Sequence, residues 1–375
     1  MNNVRDDIKI LIVKIAERCN LNCSYCYMYN HADRSYINRP VFMPGDIFRA
    51  LLNRARDYCL RRPGHTIRIV FHGGEPMLVG PRVFDEFASA ATDYLGASLA
   101  GLAIQTNATL ITDEWVEVLR RHRVAIGVSL DGTPETHNQV RVDFAGKGSH
   151  DRAINGLSIL QKAGLHCGIL CVVNPGRSGY ETYRYFRSLD MANIDFLFPD
   201  ASHDSKPLTY AAYGDTPISD FLIPIFDAWF YEDNPNVKIR VFTDIIRSLL
   251  GGKPISEVIG NGISGYLVID TDGSIQTNDA LRVCDTGIAD SGLNVVDNGF
   301  DELSLGLPMF RSIVLEGMSL AQKCRECPES NVCSGGFLPH RYSRKNGFDN
   351  PSIWCNDLLT LISHIRHHID LSIGS

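Results

Sequence analysis

Three cysteines lie close together in the run ERCNLNCSYCY, directly after an apolar segment at residues 8–15. Cys19, Cys23 and Cys26 form a CxxxCxxC pattern with an aromatic residue before the third cysteine. Three thiolates on one short loop can hold three irons of a 4Fe-4S cluster and leave the fourth iron open to another ligand. A structural zinc usually takes four protein ligands, so this spacing argues against zinc. Accidental spacing of three buried cysteines is the alternative.

Strand-like and helix-like segments alternate along the first half of the chain. The strand predictions are residues 8–16, 66–71, 101–105, 124–130, 166–173 and 194–198. Helical periodicity falls between them, at residues 44–61, 83–95, 112–121, 151–163 and 180–189. Six such units predict an α/β fold, a partial (β/α)6 TIM-like barrel with its functional residues at the carboxyl ends of parallel strands.

The length of 375 residues suits one barrel and one smaller module. We expect the barrel at residues 1–217 and a helical linker at residues 218–261, where Ile218 to Tyr231 resembles an amphipathic helix. A second module, with a C-terminal helix, is expected at residues 262–375. Only residues 1–7 precede the first predicted strand, so we expect no peptide-recognition domain fused at the N-terminus.

Charge and cysteine usage exclude several classes of protein. The net charge is -7 and the basic residues are scattered, so nucleic-acid binding is not indicated. No apolar stretch reaches the roughly 20 residues of a membrane span, and the N-terminal apolar run is interrupted by Lys14 and lacks a signal cleavage site. Eleven cysteines without an export signal indicate reduced thiols and metal ligation. We therefore expect a cytoplasmic protein.

The run His72-Gly-Gly-Glu-Pro76 closes the second predicted strand. Alone it could be a tight turn, but after a CxxxCxxC strand it resembles the GGEP element of radical S-adenosylmethionine (SAM) enzymes. In that superfamily SAM binds the open iron, and an electron from the cluster releases a 5′-deoxyadenosyl radical. The resemblance implies that the backbone of Gly73, Gly74 and Glu75 pairs with the SAM amino group.

Other polar positions resemble the family's remaining SAM contacts. Gln105 and Asn107 lie at the end of the third strand, and Ser129 and Asp131 at the end of the fourth. Arg141 lies at the matching distance beyond them to pair with the SAM carboxylate. The resemblance also places Tyr25 and Val172 near the adenine. Solvated loop positions or core packing are the alternative for each.

A second cysteine group follows in the C-terminal module. Cys324-x-x-Cys327-x5-Cys333, with the later Cys355, can hold zinc or iron-sulfur, and resembles the SPASM extension of peptide-modifying and sulfatase-maturing enzymes. Phe337 stands where that pattern has a fourth cysteine, and Cys284 stands alone upstream. The resemblance therefore implies one auxiliary 4Fe-4S cluster on those four cysteines and the loss of another. The remaining Cys59, Cys167 and Cys171 are expected to fill the core.

The segment around residues 335–351 resembles a SPASM subgroup that matures ribosomal peptides (RiPPs) and includes cyclophane-forming enzymes. The expected function is an oxidoreductase that abstracts a side-chain hydrogen from a precursor peptide and forms a carbon-carbon crosslink. Alternatives are thioether formation, sulfatase-type side-chain oxidation, epimerisation or a catalytically silent iron-sulfur module. Expected partners are a reductant such as flavodoxin or ferredoxin and a separate leader-recognition protein.

A crosslink to an aromatic ring also requires a base, because the ring must lose a proton to become aromatic again. The candidate bases are Asp285, Asp200, His203, Asp279 and His340. Each is otherwise explained as a turn or capping residue.

Overall fold

The computed structural model describes residues 8–206, 208–259, 265–305 and 308–373. The chain forms two compact units. The first comprises the described residues of Met1–Ser129, Val140–Cys167 and Ser264–Glu316, and the second those of Leu130–Gln139, Gly168–Ile263 and Gly317–Ser375. Each unit is thus built from separate stretches of sequence. The domain boundaries that the sequence analysis places at residues 217 and 261 stay a prediction.

The predicted alternation of strands and helices is confirmed, with bounds that differ by a few residues. The strands are β1 (Ile10–Ala16), β2 (Ile67–Gly73), β3 (Leu99–Thr106), β4 (Ala125–Ser129), β5 (Cys167–Val172), β6 (Asn193–Leu197), β7 (Lys238–Ile239), β8 (Tyr266–Ile269), β9 (Ser274–Gln276) and β10 (Asp290–Asn294). The longer helices are α1 (Gly45–Leu60), α2 (Pro81–Leu95), α3 (Asp113–Arg121), α4 (Pro134–Val140), α5 (His150–Lys162), α6 (Gly179–Ser188), α7 (Pro217–Glu232) and α8 (Arg240–Leu249). Three helices of four residues follow, α9 (Pro308–Arg311), α10 (Gln322–Arg325) and α11 (Ser330–Cys333), and then the long α12 (Cys355–Ile373). No helix within the described ranges is both long and apolar enough to cross a bilayer.

The sheet of the first unit runs in the order β10-β9-β8-β1-β2-β3-β4. Strands β1 to β4 are parallel, as right-handed βαβ crossovers require. Strand β8 also pairs in parallel with β1, with Val13 opposite Ile269, whereas β9 and β10 are antiparallel. All four residues of β8 are buried, which is typical of a strand inside a covered sheet. A segment that the sequence assigned to the second module therefore extends the first unit's sheet.

Aromatic side chains hold the helices of the first unit against β2. Phe48 of α1 stacks on Phe87 of α2 at 4.4 Å between ring centroids, and Phe71 of β2 meets Phe84 of α2 edge-on at 4.7 Å. Trp115 of α3 continues this cluster at 5.3 Å from Phe84. Buried aromatic pairs add about 0.5–1.5 kcal/mol each beyond the area they bury. This packing fixes the carboxyl end of β2, where the HGGEP run lies.

In the second unit, β5, β6 and β7 form parallel pairs. Helices α6, α7 and α12 pack together in the same unit. Helix α12 begins at Cys355, so a residue of the second cysteine group starts the last helix.

Candidate active site

The loop after β1 carries the first three cysteines and turns tightly on itself. The Cys26 amide donates to the Cys23 carbonyl at 3.0 Å, and the Leu21 amide donates to the Cys19 sulfur at 3.3 Å. A backbone N–H aimed at a sulfur stabilises a thiolate. The loop therefore brings three sulfurs together in a form suited to metal binding.

Burial raises the pKa of Cys19, and the charges of Cys23 and Cys26 raise it further. Burial likewise raises the pKa of Cys26 to about 12, with Cys23 adding to the rise. Neighbouring thiolate charges repel one another, so these cysteines keep their protons in the absence of a metal. A metal cation displaces the protons when it binds. The three cysteines fit a 4Fe-4S cluster with one iron left open.

Asn107 joins the end of β3 to this loop. Its Nδ2 donates to Asn20 Oδ1 at 2.9 Å and lies 3.8 Å from the Cys19 sulfur. Asn20 in turn donates to Thr109 Oγ1 at 2.8 Å. Asn107, which the sequence assigned to SAM, thus contacts the cysteine loop and helps to position it.

The two glycines of the HGGEP run are required by the chain that leads into the cysteine loop. A Cβ at Gly73, which has φ 137°, would collide with the Ala16 carbonyl oxygen, and a Cβ at Gly74 would collide with Arg18 O. The Gly74 amide donates to that Ala16 carbonyl at 2.8 Å. Glycine at these two positions therefore lets the end of β2 lie close to the backbone that leads into the cysteine loop. The contact with SAM that the sequence predicts there stays a prediction.

The Glu75 side chain ties the end of β2 to the end of β3. Its carboxylate accepts from the Met77 amide at 3.0 Å, the Thr106 hydroxyl at 2.8 Å and the Asn107 amide at 2.8 Å. Burial raises the pKa of Glu75 to about 7 despite these donors. Because the carboxylate is engaged within the protein, a SAM contact at Glu75 falls to its backbone.

Arg141 lies beside the cysteine loop. The Asn22 amide donates to the Val142 carbonyl at 2.7 Å, which pairs this segment with the loop. The Arg141 guanidinium is over the Tyr25 ring at 5.5 Å and acts to lower the pKa of Cys26. In the same unit, Gln105 Nε2 donates to Ser129 Oγ at 2.8 Å. The SAM contacts that the sequence predicts for Arg141, Gln105 and Ser129 stay a prediction.

Asp131 and Val172 belong to the second unit. Asp131 Oδ1 accepts from the Val172 amide at 3.0 Å, and the Asp131 amide donates to His137 Nδ1 at 3.2 Å. The two predicted SAM residues are thus in direct contact with each other. Their contacts with SAM stay a prediction.

A buried charge network, which the sequence did not reveal, surrounds Asp279. Tyr27, next to Cys26 in sequence, donates its hydroxyl to Asp279 Oδ2 at 2.7 Å. The fully buried Lys14 of β1 lies 3.3 Å from the same oxygen and 3.4 Å from Asp270 at the end of β8. Burial alone would raise the pKa of Asp279, but Lys14, His72 and Tyr27 outweigh it and hold the pKa at about 2. Asp279 is therefore an ionised carboxylate beside the cysteine loop.

The other candidate bases have different surroundings. Asp285, in the first unit, is half-buried and accepts from the Thr286 amide at 2.9 Å. Three belong to the second unit: Asp200 is half-buried, His203 is exposed with Nε2 2.9 Å from the Pro351 carbonyl, and His340 is buried. Burial lowers the pKa of His340 to about 3, so this imidazole is neutral. Among the five, Asp279 alone is a buried carboxylate with a cation beside it.

The second cysteine group lines a cavity of about 50 Å³ in the second unit. The lining includes Cys324 of α10, Cys327, Cys333 of α11 and Cys355 of α12. Burial raises the pKa of Cys333 to about 12, with the charges of the other three cysteines adding to the rise. Four thiols around one cavity supply the ligand set of a 4Fe-4S cluster or of zinc.

Phe337 and Cys284, the two residues that bear on a further cluster, are not among the residues that line this cavity. Phe337 is 9% exposed and packs edge-on against His340 at 5.3 Å. Cys284 is 3% exposed, belongs to the first unit and is not among the residues that line the cavity. Of the remaining cysteines, Cys59 and Cys171 are buried and Cys167 is half-buried.

A comparison with known families matches part of the chain. The model of the radical SAM superfamily matches residues 13–185, a range that includes the cysteine loop, the HGGEP run and Arg141. This part of the chain is therefore a radical SAM domain, and enzymes with that domain use SAM together with a 4Fe-4S cluster.

Similar proteins cover nearly the whole chain. A cysteine-type anaerobic sulfatase-maturating enzyme of Clostridium novyi (strain NT) is 27% identical over 93% of this chain and 92% of its own length. A serine-type anaerobic sulfatase-maturating enzyme of Bacteroides thetaiotaomicron is 24% identical over 96% of this chain and 90% of its own. The solved structure of native anSMEcpe with bound AdoMet and Cp18Cys peptide aligns with TM-score 0.80 at 23% identity, covering 97% of this chain and 99% of that one. This last similarity shows that the fold is shared.

Proposed function

We propose that the protein oxidises a cysteine or serine side chain of a polypeptide by two electrons. The full-length similarity to cysteine-type and serine-type sulfatase-maturating enzymes supports a radical SAM peptide-modifying activity. It supports this side-chain oxidation, an alternative at the sequence level, better than the cyclophane crosslink. The observation that carries the proposal is the ionised Asp279, which Tyr27 ties to the cysteine loop.

The oxidation converts a side-chain CH₂–XH group, where X is sulfur or oxygen, into a C=X double bond. The side chain loses one hydrogen atom, one proton and one electron. When bound, SAM and the first cluster supply the 5′-deoxyadenosyl radical that takes the hydrogen atom, and an auxiliary cluster supplies an electron acceptor. The chain's own residues must hold SAM and the peptide and must accept the proton.

Asp279 accepts the proton in this proposal. Tyr27 and Lys14 both contact Oδ2, so the proton goes to Oδ1. Lys14 keeps the carboxylate ionised before reaction. A peptide that covers Asp279 and excludes water would raise its pKa and make it a stronger base. Arg141, Gln105 and Ser129 would orient SAM in the same unit.

The four cavity cysteines are assigned to one auxiliary 4Fe-4S cluster. The cavity supplies four thiolates, and Phe337 offers no ligand for another. A low-potential reductant such as flavodoxin or ferredoxin is a proposed partner, because reductive cleavage of SAM needs an electron. A separate leader-recognition protein is proposed only if the substrate is a precursor peptide.

The Cp18Cys peptide and its serine counterpart test the proposed function. Each is incubated anaerobically with the cluster-loaded protein, SAM and dithionite, and the product mass is measured. Oxidation of serine to an aldehyde removes two hydrogens, about 2 Da, whereas cysteine gives a thioaldehyde that hydrolyses to the same aldehyde, a net loss of about 18 Da. Both products should react with a hydrazine probe.

A loss of about 2 Da from both peptides, with no hydrazine adduct, would indicate a crosslink and contradict the proposal. Cleavage of SAM with both peptides unchanged would also contradict it. Cys26→Ala protein supplies the blank, because it lacks one of the three iron ligands.

A further inference from the structure

Three side chains that commonly bind metals meet in the second unit, and none of them is a cysteine. His364 and His368 lie four residues apart on α12, so they share one face of that helix. Asp227 of α7 faces them, and the three ligand atoms all lie within 4.8 Å of one another. None of these residues takes part in the function proposed above.

The three ligand atoms are close enough to converge on one metal ion, once His364 and Asp227 exchange their hydrogen bond for bonds to the metal. Asp227 Oδ1 lies 2.6 Å from His364 Nε2 and 3.6 Å from His368 Nε2. Zinc bonds of about 2.0–2.1 Å in tetrahedral geometry place neighbouring ligand atoms about 3.3 Å apart, a value between these two distances. The side chains are 39%, 26% and 13% exposed for Asp227, His364 and His368, so a fourth position can be filled by water.

Aromatic rings hold the two imidazoles in place. Phe226 meets His364 and His368 edge-on, at 5.7 Å and 5.5 Å between centroids. Phe230 and Tyr231 pack against His368 at 5.5 Å and 5.8 Å. An ion pair with Asp227 would need only one imidazole. Here a second imidazole is directed at the same carboxylate oxygen and is packed against aromatic rings. Two imidazoles and a carboxylate that converge in this way are typical of a metal site.

We infer that Asp227, His364 and His368 bind a divalent transition metal of the zinc type, which links α7 to α12. Helix α12 begins at Cys355, nine residues or about 14 Å along the helix axis from His364. The metal therefore restrains the helix that carries a ligand of the cysteine cavity, without sharing that cavity.

Equilibrium dialysis of the cluster-loaded protein against micromolar zinc, under anaerobic conditions, tests the inference. Bound zinc and iron are counted per chain, and magnesium serves as the negative control because imidazole is a poor magnesium ligand. Wild type should bind one zinc in excess of the His364→Ala/His368→Ala double variant. Each single variant and Asp227→Asn should bind zinc at least about 10-fold more weakly, at unchanged iron content.

His367→Ala is the matched control, because His367 is exposed and, although its ring contacts that of His368 at 5.9 Å, it offers no ligand atom to the cluster. It should bind zinc as wild type does. Zinc at about 100 times its Kd should also slow hydrogen exchange of the α12 amides in wild type by up to about 100-fold. This slowing applies to local unfolding events that separate the three ligands. Equal zinc binding by wild type and the double variant, or equal loss in His367→Ala, would overturn the inference.

Discussion

Replacing Asp279 by asparagine removes the proposed proton acceptor and keeps its shape. Tyr27 can still donate to the amide oxygen, and Lys14 keeps Asp270 at 3.4 Å. General bases contribute about 10²- to 10⁴-fold to rate, so we expect formation of modified peptide to fall by at least about 100-fold, or about 2.7 kcal/mol. SAM cleavage should fall much less, because hydrogen abstraction needs no base.

The structure also predicts a stability cost for Asp279→Asn. Breaking a buried ion pair outright costs about 3–5 kcal/mol, but Lys14 retains one carboxylate of two, so about 2 kcal/mol is expected. Iron content and the urea midpoint establish whether the variant is folded. The expected mechanism therefore predicts a folded protein that makes 5′-deoxyadenosine in excess over product.

The assay measures 5′-deoxyadenosine and modified peptide in the same reaction. Asp285→Asn is the matched control, since Asp285 is a half-buried carboxylate six residues along the chain that accepts from the Thr286 amide. It should keep the wild-type ratio of the two products. If Asp279→Asn modifies peptide at the wild-type rate, or if Asp285→Asn is the variant that uncouples the two products, Asp279 is not the base.

Arg141→Ala should weaken SAM binding about 10- to 100-fold at unchanged iron content, because a charge-assisted contact contributes about 1.5–3 kcal/mol. Arg152 is an exposed arginine of the same unit, so Arg152→Ala should bind SAM as wild type does. Calorimetry measures the SAM affinity of both variants. Burial raises the pKa of Glu75 from 4.5 to about 7, so the folded protein holds that proton more tightly and should lose up to about 3 kcal/mol of stability as pH rises from about 4.5 through 7. Urea unfolding of Glu75→Gln should show a flatter pH dependence than Glu86→Gln, whose carboxylate is exposed, and parallel slopes would exclude this assignment. Reconstituted wild-type protein should hold about eight irons per chain, and Cys324→Ala about four. About twelve irons in wild type would mean a further cluster. Zinc retained by the His364→Ala/His368→Ala variant would indicate zinc in the cysteine cavity.

The sequence predicted the features that depend on neighbouring residues. Strand and helix periods, the cysteine loop and the HGGEP run are local patterns, and the structure has them near the expected positions. Periodicity does not say which strands pair, so the sequence could not place β8 beside β1. The network of Lys14, Asp270 and Asp279 depends on that pairing. A lysine inside an apolar strand was the available signal, because a buried cation requires a buried partner.

Contacts between distant segments account for the other differences. The reason for glycine at Gly74 is the Arg18 carbonyl, which approaches only through the register of β1 and β2. The spacing of His364 and His368 is visible in α12, but Asp227 comes from a helix more than a hundred residues earlier. Such partners become known only with the tertiary structure.

Transfer of deuterium from peptide to 5′-deoxyadenosine tests whether a radical abstracts a side-chain hydrogen of the peptide. The peptide carries deuterium on both β-carbon positions of its target cysteine or serine, and 5′-deoxyadenosine from an anaerobic reaction is analysed by mass spectrometry. Hydrogen abstraction by the radical should place one deuterium in the 5′-deoxyadenosine for each peptide oxidised, and none with Cys26→Ala protein, which should not cleave SAM. Oxidised peptide together with unlabelled 5′-deoxyadenosine would contradict it.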